Sequence, residues 1–132
     1  DAAASDMWAD EPRRHPALVQ LAQNPYNAET PRAAQANAAE DSVVIDNELF
    51  FGRNHMPVPS IAEADVESGE FCVDVSGVGL RSECLSVDKM RKLFAFHTVT
   101  STVQCGGNRR SDAGKHQAVK GLGWTGGALG TA

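Results

Sequence analysis

The residue pattern predicts a mixed α+β chain, rich in β structure with short helices, on three observations. Phe71, Val73 and Val75 alternate with Cys72, Asp74 and Ser76, the period-two signature of a half-buried strand. Phe96 to Gln104, FHTVTSTVQ, is dense in β-branched residues and reads as a second strand, with His97, Val99, Ser101, Val103 and Cys105 on one side and three threonines on the other. Between the two, Ser86 can cap a helix whose Val87, Met90, Leu93 and Phe94 follow helical spacing, and Asp88 sits where the helix dipole favours an acid.

The remaining segments follow in order. Residues 1–29 carry Pro12, Pro16 and Pro25, the charged run DEPRRHP and the turn-like NPYNAE. Prolines at this density break helices and bias their predecessors to extended backbone, so residues 1–16 read as an interdomain hinge or linker that leads irregularly into a domain at 17–132. Thr30 can cap, Pro31 suits a first helical position, and the Ala-rich run to Glu40 predicts a short superficial helix. Two apolar clusters, Val43 to Ile45 and Leu49 to Phe51, precede GRNHMPVP, where Arg53, Asn54 and His55 stand between an aromatic anchor and an extended exit set by Pro57 and Pro59. Either a presented functional loop or a plain solvated turn fits that pattern. Five glycines between 121 and 130 keep Trp124 out of regular structure, so its indole either plugs the core or walls a pocket. The closing GALGTA shows no helix stop or strand end and the chain opens on Asp1, so the sequence reads as a fragment or at least as having a processed N-terminus.

Composition narrows the function classes. The 132 residues suffice for one modest domain, 42% of them are hydrophobic, and no run approaches the roughly 18 apolar residues of a membrane span. Net charge is −5, but residues 1–70 hold 4 basic and 13 acidic side chains whereas residues 71–132 hold 8 basic and 4 acidic. An acidic balance argues against nucleic acid as a partner, and the basic half suits a small anion. Three cysteines, Cys72, Cys84 and Cys105, show no CxxC pair, so neither a disulfide framework nor a structural zinc site is indicated; Cys72 reads as structural.

Gln104 to Ser111, QCGGNRRS, concentrates the chemistry: a thiol at a strand end, two glycines, an asparagine and paired arginines. A metal-bound anion would use such a set. A buried free cysteine, an ordinary turn and two solvated arginines would give the same residues, and a hydrolase pairing Cys105 with His55 or His116 is a third reading that lacks a recognisable nucleophile turn.

Six blocks in order, RHPAL, PYNAE, FFGRNHMPVP, LSVDKM, TVQCGGNRRS and VKGLGW, resemble the N-terminal part of the molybdenum-cofactor domain of sulfite oxidases. The resemblance implies that Cys105 ligates molybdenum and that Phe51, Gly52, Arg53, Asn54 and His55 bind molybdopterin. It further implies that Arg53, Arg110 and Trp124 line the pocket for the sulfur oxyanion, and that Cys105, Arg53 and Arg110 are the catalytic set. By the same resemblance the reaction is oxygen-atom transfer that turns sulfite into sulfate, with electrons passed to cytochrome c or a linked haem domain. Haem is implied only if such a domain adjoins. A homodimer in the full-length protein and a place in the mitochondrial intermembrane space follow from the same comparison. A nitrate reductase-type enzyme and an anion-binding fragment are the alternatives; nitrate reductases tend to carry lysine where Ser111 stands. Family members also tend to carry a β-branched residue at Gly52 and alanine at Gly106.

Overall fold

A computed structural model describes residues 7–40 and 43–132; the first six residues of the expected hinge lie outside that range. The chain is α+β, with small antiparallel sheets and short helices, and it divides into two compact units. The first comprises residues 1–58 and 100–132, the second residues 59–99.

The first unit opens on a three-stranded antiparallel sheet of β1 (Val19–Ala22), β2 (Asn27–Glu29) and β3 (Gly52–Arg53). The segment 17–29, expected to be irregular, is therefore largely a hairpin, with Val19 opposite Glu29 and a bulge between Gln20 and Ala22. Its turn carries the cis bond Asn24–Pro25. The prolines sit outside the strands, which is how a proline-dense segment still pairs. Tyr26, Asn27, Ala28, Glu29 and Thr30 are all buried, so the NPYNAE block is the centre of this unit rather than a surface turn. Arg14 stacks over the Tyr26 ring at 5.2 Å and pairs with Glu11 at 2.6 Å.

Helix α1 (Arg32–Glu40) follows Pro31 as expected. Ile45 then donates its backbone N–H to the Thr131 carbonyl at 2.8 Å. A 3₁₀ turn over Asn47–Leu49 leads to stacked Phe50 and Phe51, whose ring centroids lie 5.0 Å apart. The long strand expected at Phe96–Gln104 shortens to β6 (Thr102–Gln104), because its partner β7 (Leu129–Thr131) offers only three residues. GALGTA thus does contain a strand. Its Gly130 is needed there, since a Cβ would meet the Phe50 ring at 2.6 Å.

The second unit holds α2 (Glu63–Ser68), the hairpin of β4 (Cys72–Val75) and β5 (Glu83–Ser86), and α3 (Val87–Leu93). Gly69 ends α2 at φ 81°, a left-handed conformation that glycine adopts without strain. Ser86 caps α3 as its position predicts, its hydroxyl accepting from Lys89 N at 3.2 Å. Cys72 and Cys84 form a disulfide across the hairpin, with Cα atoms 5.5 Å apart. The odd cysteine count concealed this pair: two cysteines are bridged and Cys105 is free.

Candidate functional site

All the candidate site residues belong to the first unit. Arg53 ends β3, paired with Asn27 on β2, so its backbone is fixed by a sheet. The Arg53 Nη1 donates to Asn27 Oδ1 at 3.0 Å and to the Asn54 carbonyl at 2.6 Å. Its Nη2 lies 3.3 Å from His55 Nδ1. A guanidinium only donates, so His55 accepts through Nδ1 and a neutral ring carries its proton on Nε2. The Asn54 side-chain nitrogen is buried with no partner.

Arg110 is delivered from the other side of the sequence. Cys105 donates its N–H to the Ala128 carbonyl at 2.9 Å, and its carbonyl accepts from Asn108 N at 2.9 Å, turning the chain at the end of β6. The Asn108 side-chain oxygen accepts from Ala128 N at 3.1 Å, tying this turn to the approach to β7. Arg109 takes φ 60°, and α4 (Arg110–Ala113) follows. The Arg110 Nη1 donates to the Leu122 carbonyl at 3.1 Å. Its guanidinium occupies the space that side chains on two glycines would need: a Cβ on Gly107 would meet Nη2 at 2.7 Å, and one on Gly121, at φ 111°, would meet Nη1 at 2.6 Å. Gly107 also gives its N–H to Cys105 Sγ at 3.4 Å, so the free thiol and the guanidinium flank the same glycine. A Cβ on Gly106 meets nothing within 4 Å, and one on Gly52 meets the Tyr26 ring at an ordinary 3.4 Å. Gly106 therefore has room for alanine, while at Gly52 a Cβ already rests against the Tyr26 ring.

The two arginines line the same cleft. Arg53, Asn54, His55 and Arg110 line one cleft of about 400 Å³, with Asn27 and Gly121 at its edges. Phe51 and Gly52 face a different cleft of about 450 Å³, beside Arg13, His15 and Tyr26. Trp124 is fully buried and its indole nitrogen has no partner. Its carbonyl accepts from Ser111 N at 3.0 Å and from Ser111 Oγ at 2.9 Å, which joins the tryptophan loop to the arginine helix.

Glu29, which carried no role in the sequence reading, holds the next turn of that loop. Its carboxylate accepts from Gly126 N at 3.0 Å, from Gly127 N at 3.2 Å and from both the backbone N–H and the hydroxyl of Thr125. Burial pushes the carboxyl up, but the Thr125 hydroxyl and these backbone N–H groups outweigh it and hold Glu29 below its ordinary range. The signal in PYNAE was Asn27 and Glu29 at strand spacing, on one face of β2.

The family described as oxidoreductase molybdopterin binding domain matches residues 55–132. The chain is 43% identical over 129 residues to a sulfite oxidase of Gallus gallus, covering 98% of this chain and 26% of that protein. To the mitochondrial sulfite oxidase of Mus musculus it is 44% identical over 129 residues, covering 98% of this chain and 22% of that protein. A nitrate reductase [NADPH] of Emericella nidulans is 31% identical over 120 residues, 90% of this chain and 13% of that protein. The chain thus spans about a quarter of the length of the curated sulfite oxidases it matches. With a family match over more than half its residues, this chain belongs to the oxidoreductase molybdopterin-binding domain family.

Proposed function

We propose that the chain is the N-terminal part of the molybdenum-cofactor domain of an enzyme that oxidises sulfite to sulfate, with residues 1–16 as an interdomain hinge and 17–132 as the domain portion. The observation that carries this reading is the shared cleft: Arg53 and Arg110, from distant segments, line about 400 Å³ with Asn54 and His55. Sulfite is a compact dianion near neutral pH. Arginine offers it permanent charge and a planar donor fork matched to oxyanion geometry.

The residues present fit the family's cofactor. Among the described residues, the one grouping of His, Cys, Asp and Glu ligand atoms close enough to share an ion is Cys72, Asp74 and Cys84, and its two sulfurs are bonded to each other. A metal at the candidate site would take one protein ligand, the free Cys105 thiolate, and its other ligands from the pterin that carries it. Asn54, whose buried amide nitrogen lacks a partner, and His55, through Nε2, are donors available to that pterin beside Arg53, whereas Phe51 and Gly52, proposed for the same group, face the other cleft. When bound, the molybdenum centre supplies the oxygen-atom transfer and takes up the two electrons released by sulfite. The chain's own part is to capture the anion between Arg53 and Arg110. Trp124 is fully buried outside the lining of that cleft, and its unpaired indole N–H, a buried donor left unmade only at a cost, is the group it would offer the pocket.

In the full-length protein, electrons pass to cytochrome c or to a linked haem domain, the enzyme dimerises, and it resides in the mitochondrial intermembrane space. The mitochondrial part of that address is supported by the names of the mouse and rat relatives. The test is a side-by-side assay of the full-length enzyme with sulfite and with nitrate. Sulfite turnover is expected, with Arg53→Gln and Arg110→Gln each raising the KM for sulfite about 10- to 100-fold, the range for losing a charged hydrogen bond. Reduction of nitrate with sulfite left untouched contradicts the proposal.

A further inference from the structure

Arg53 has a partner at the rim of the cleft, Asn27, which holds both its fork and the adjoining Asn54 backbone. Asn27 is fully buried on β2, and all of its hydrogen-bonding capacity faces the ends of two loops. Its Oδ1 accepts from Arg53 Nη1 at 3.0 Å and from Asn54 N at 3.2 Å. Its Nδ2 donates to the Pro25 carbonyl at 2.9 Å and to the Asn54 carbonyl at 3.1 Å. An amide offers two acceptor positions and two donors, and here all four are used. Such an amide is satisfied only when the Arg53–Asn54 backbone and the Arg53 fork stand where they do. Arg53 in turn gives one Nη1 contact to Asn27 and another to the Asn54 carbonyl, so one arm of its fork is clamped and the orientation of the rest is set. A long, flexible side chain held this way binds an anion without first giving up its rotamer freedom.

We propose that Asn27 is a positioning residue of the oxyanion site, acting by orienting the Arg53 guanidinium. The inference rests on the reading of Arg53 as a substrate contact. It assigns a role in the site to the PYNAE block, which carries no anion-binding charge at this position.

The experiment uses the molybdenum-loaded, full-length enzyme and reads the dissociation constant of sulfate, the unreactive product, by calorimetry, beside the KM and kcat for sulfite and the melting temperature. Asn27→Ala is expected to weaken sulfate binding and raise the KM about 10-fold, with kcat changed by less than about 3-fold, the scale of one lost hydrogen bond to a charged group. The double variant Asn27→Ala with Arg53→Gln is expected to bind sulfate no more weakly than Arg53→Gln alone, because the two act as one unit. Should Asn27→Ala fail to fold, Asn27→Asp keeps both acceptors but sets a negative charge against the fork. Its sulfate affinity is then expected to fall, with a deficit that shrinks as salt is raised. Unchanged sulfate affinity in the Asn27 variants, or effects that simply add to those of Arg53→Gln, overturns the inference. A loss in Arg53→Gln with none in the Asn27 variants overturns it alone, whereas unchanged affinity in Arg53→Gln overturns the reading of the site as well.

Discussion

The unit formed by residues 1–58 and 100–132 buries Trp124, Ala28 and Ala128 together with the polar side chains of Asn27, Glu29 and Thr30. In the unit of residues 59–99 no residue is buried, and Val78, Leu80, Phe94 and Phe96 are more than half exposed. One is organised from within around the hydrogen-bonded side chains of Asn27 and Glu29; the other is a hairpin and two short helices clasped by a disulfide. Small units without a core need such a staple. The difference teaches where chemistry settles. Arg53, Arg110 and Cys105 all stand in the unit whose loops are tied down by part-buried hydrogen bonds, since a charged group is useful only where its direction is fixed.

Substitutions that attack one side of this contrast should separate the two units. Trp124→Ala removes the largest fully buried side chain and is expected to cost about 3–5 kcal/mol, read as a fall in the denaturant midpoint. The signals of β4, β5 and α3 should survive that change better than those of β2 and β7. Glu29 sharpens the contrast through pH. Its folded carboxyl lies below its ordinary range, so its contribution is complete above the unfolded carboxylate value and is lost as pH falls through the lower folded value. Acid titration of stability in Glu29→Gln should therefore show a flatter acid limb than wild type. The finest distinction is between adjacent glycines. Gly106→Ala enters open space and should change stability by less than about 0.5 kcal/mol. Gly107→Ala meets only the guanidinium end of the Arg110 side chain and no backbone, so it should cost little stability yet weaken sulfate binding measurably.

Several elements were legible before the structure because their causes are local. The Ser86 cap, the alternation at Cys72–Val75 and the proline at the start of α1 each act within a few residues. What escaped depends on partners distant in the chain. GALGTA becomes a strand only because β6 pairs with it, and FHTVTSTVQ shortens for the same reason. The pairing of Cys72 with Cys84 depends on the register of β4 and β5, which places both on one face. At the site, Arg53, Asn54, His55 and Arg110 were named from their blocks and do share a cleft. Asn27 and Glu29 were passed over because polar residues in a proline-flanked segment look like a turn. Their importance lies in being buried, which no short-range pattern reveals.

The central claim is that Cys105 alone among the three cysteines serves chemistry, while the other two hold a unit that lacks a core. Sulfite-dependent reduction of an electron acceptor by the full-length enzyme, compared between Cys105→Ser and the Cys72→Ala, Cys84→Ala double variant, tests it directly. The account predicts that Cys105→Ser abolishes turnover with the melting temperature little changed. The double variant should melt earlier, by the loss of about 3 kcal/mol for a short disulfide loop, and retain its kcat. Turnover that survives Cys105→Ser would contradict it.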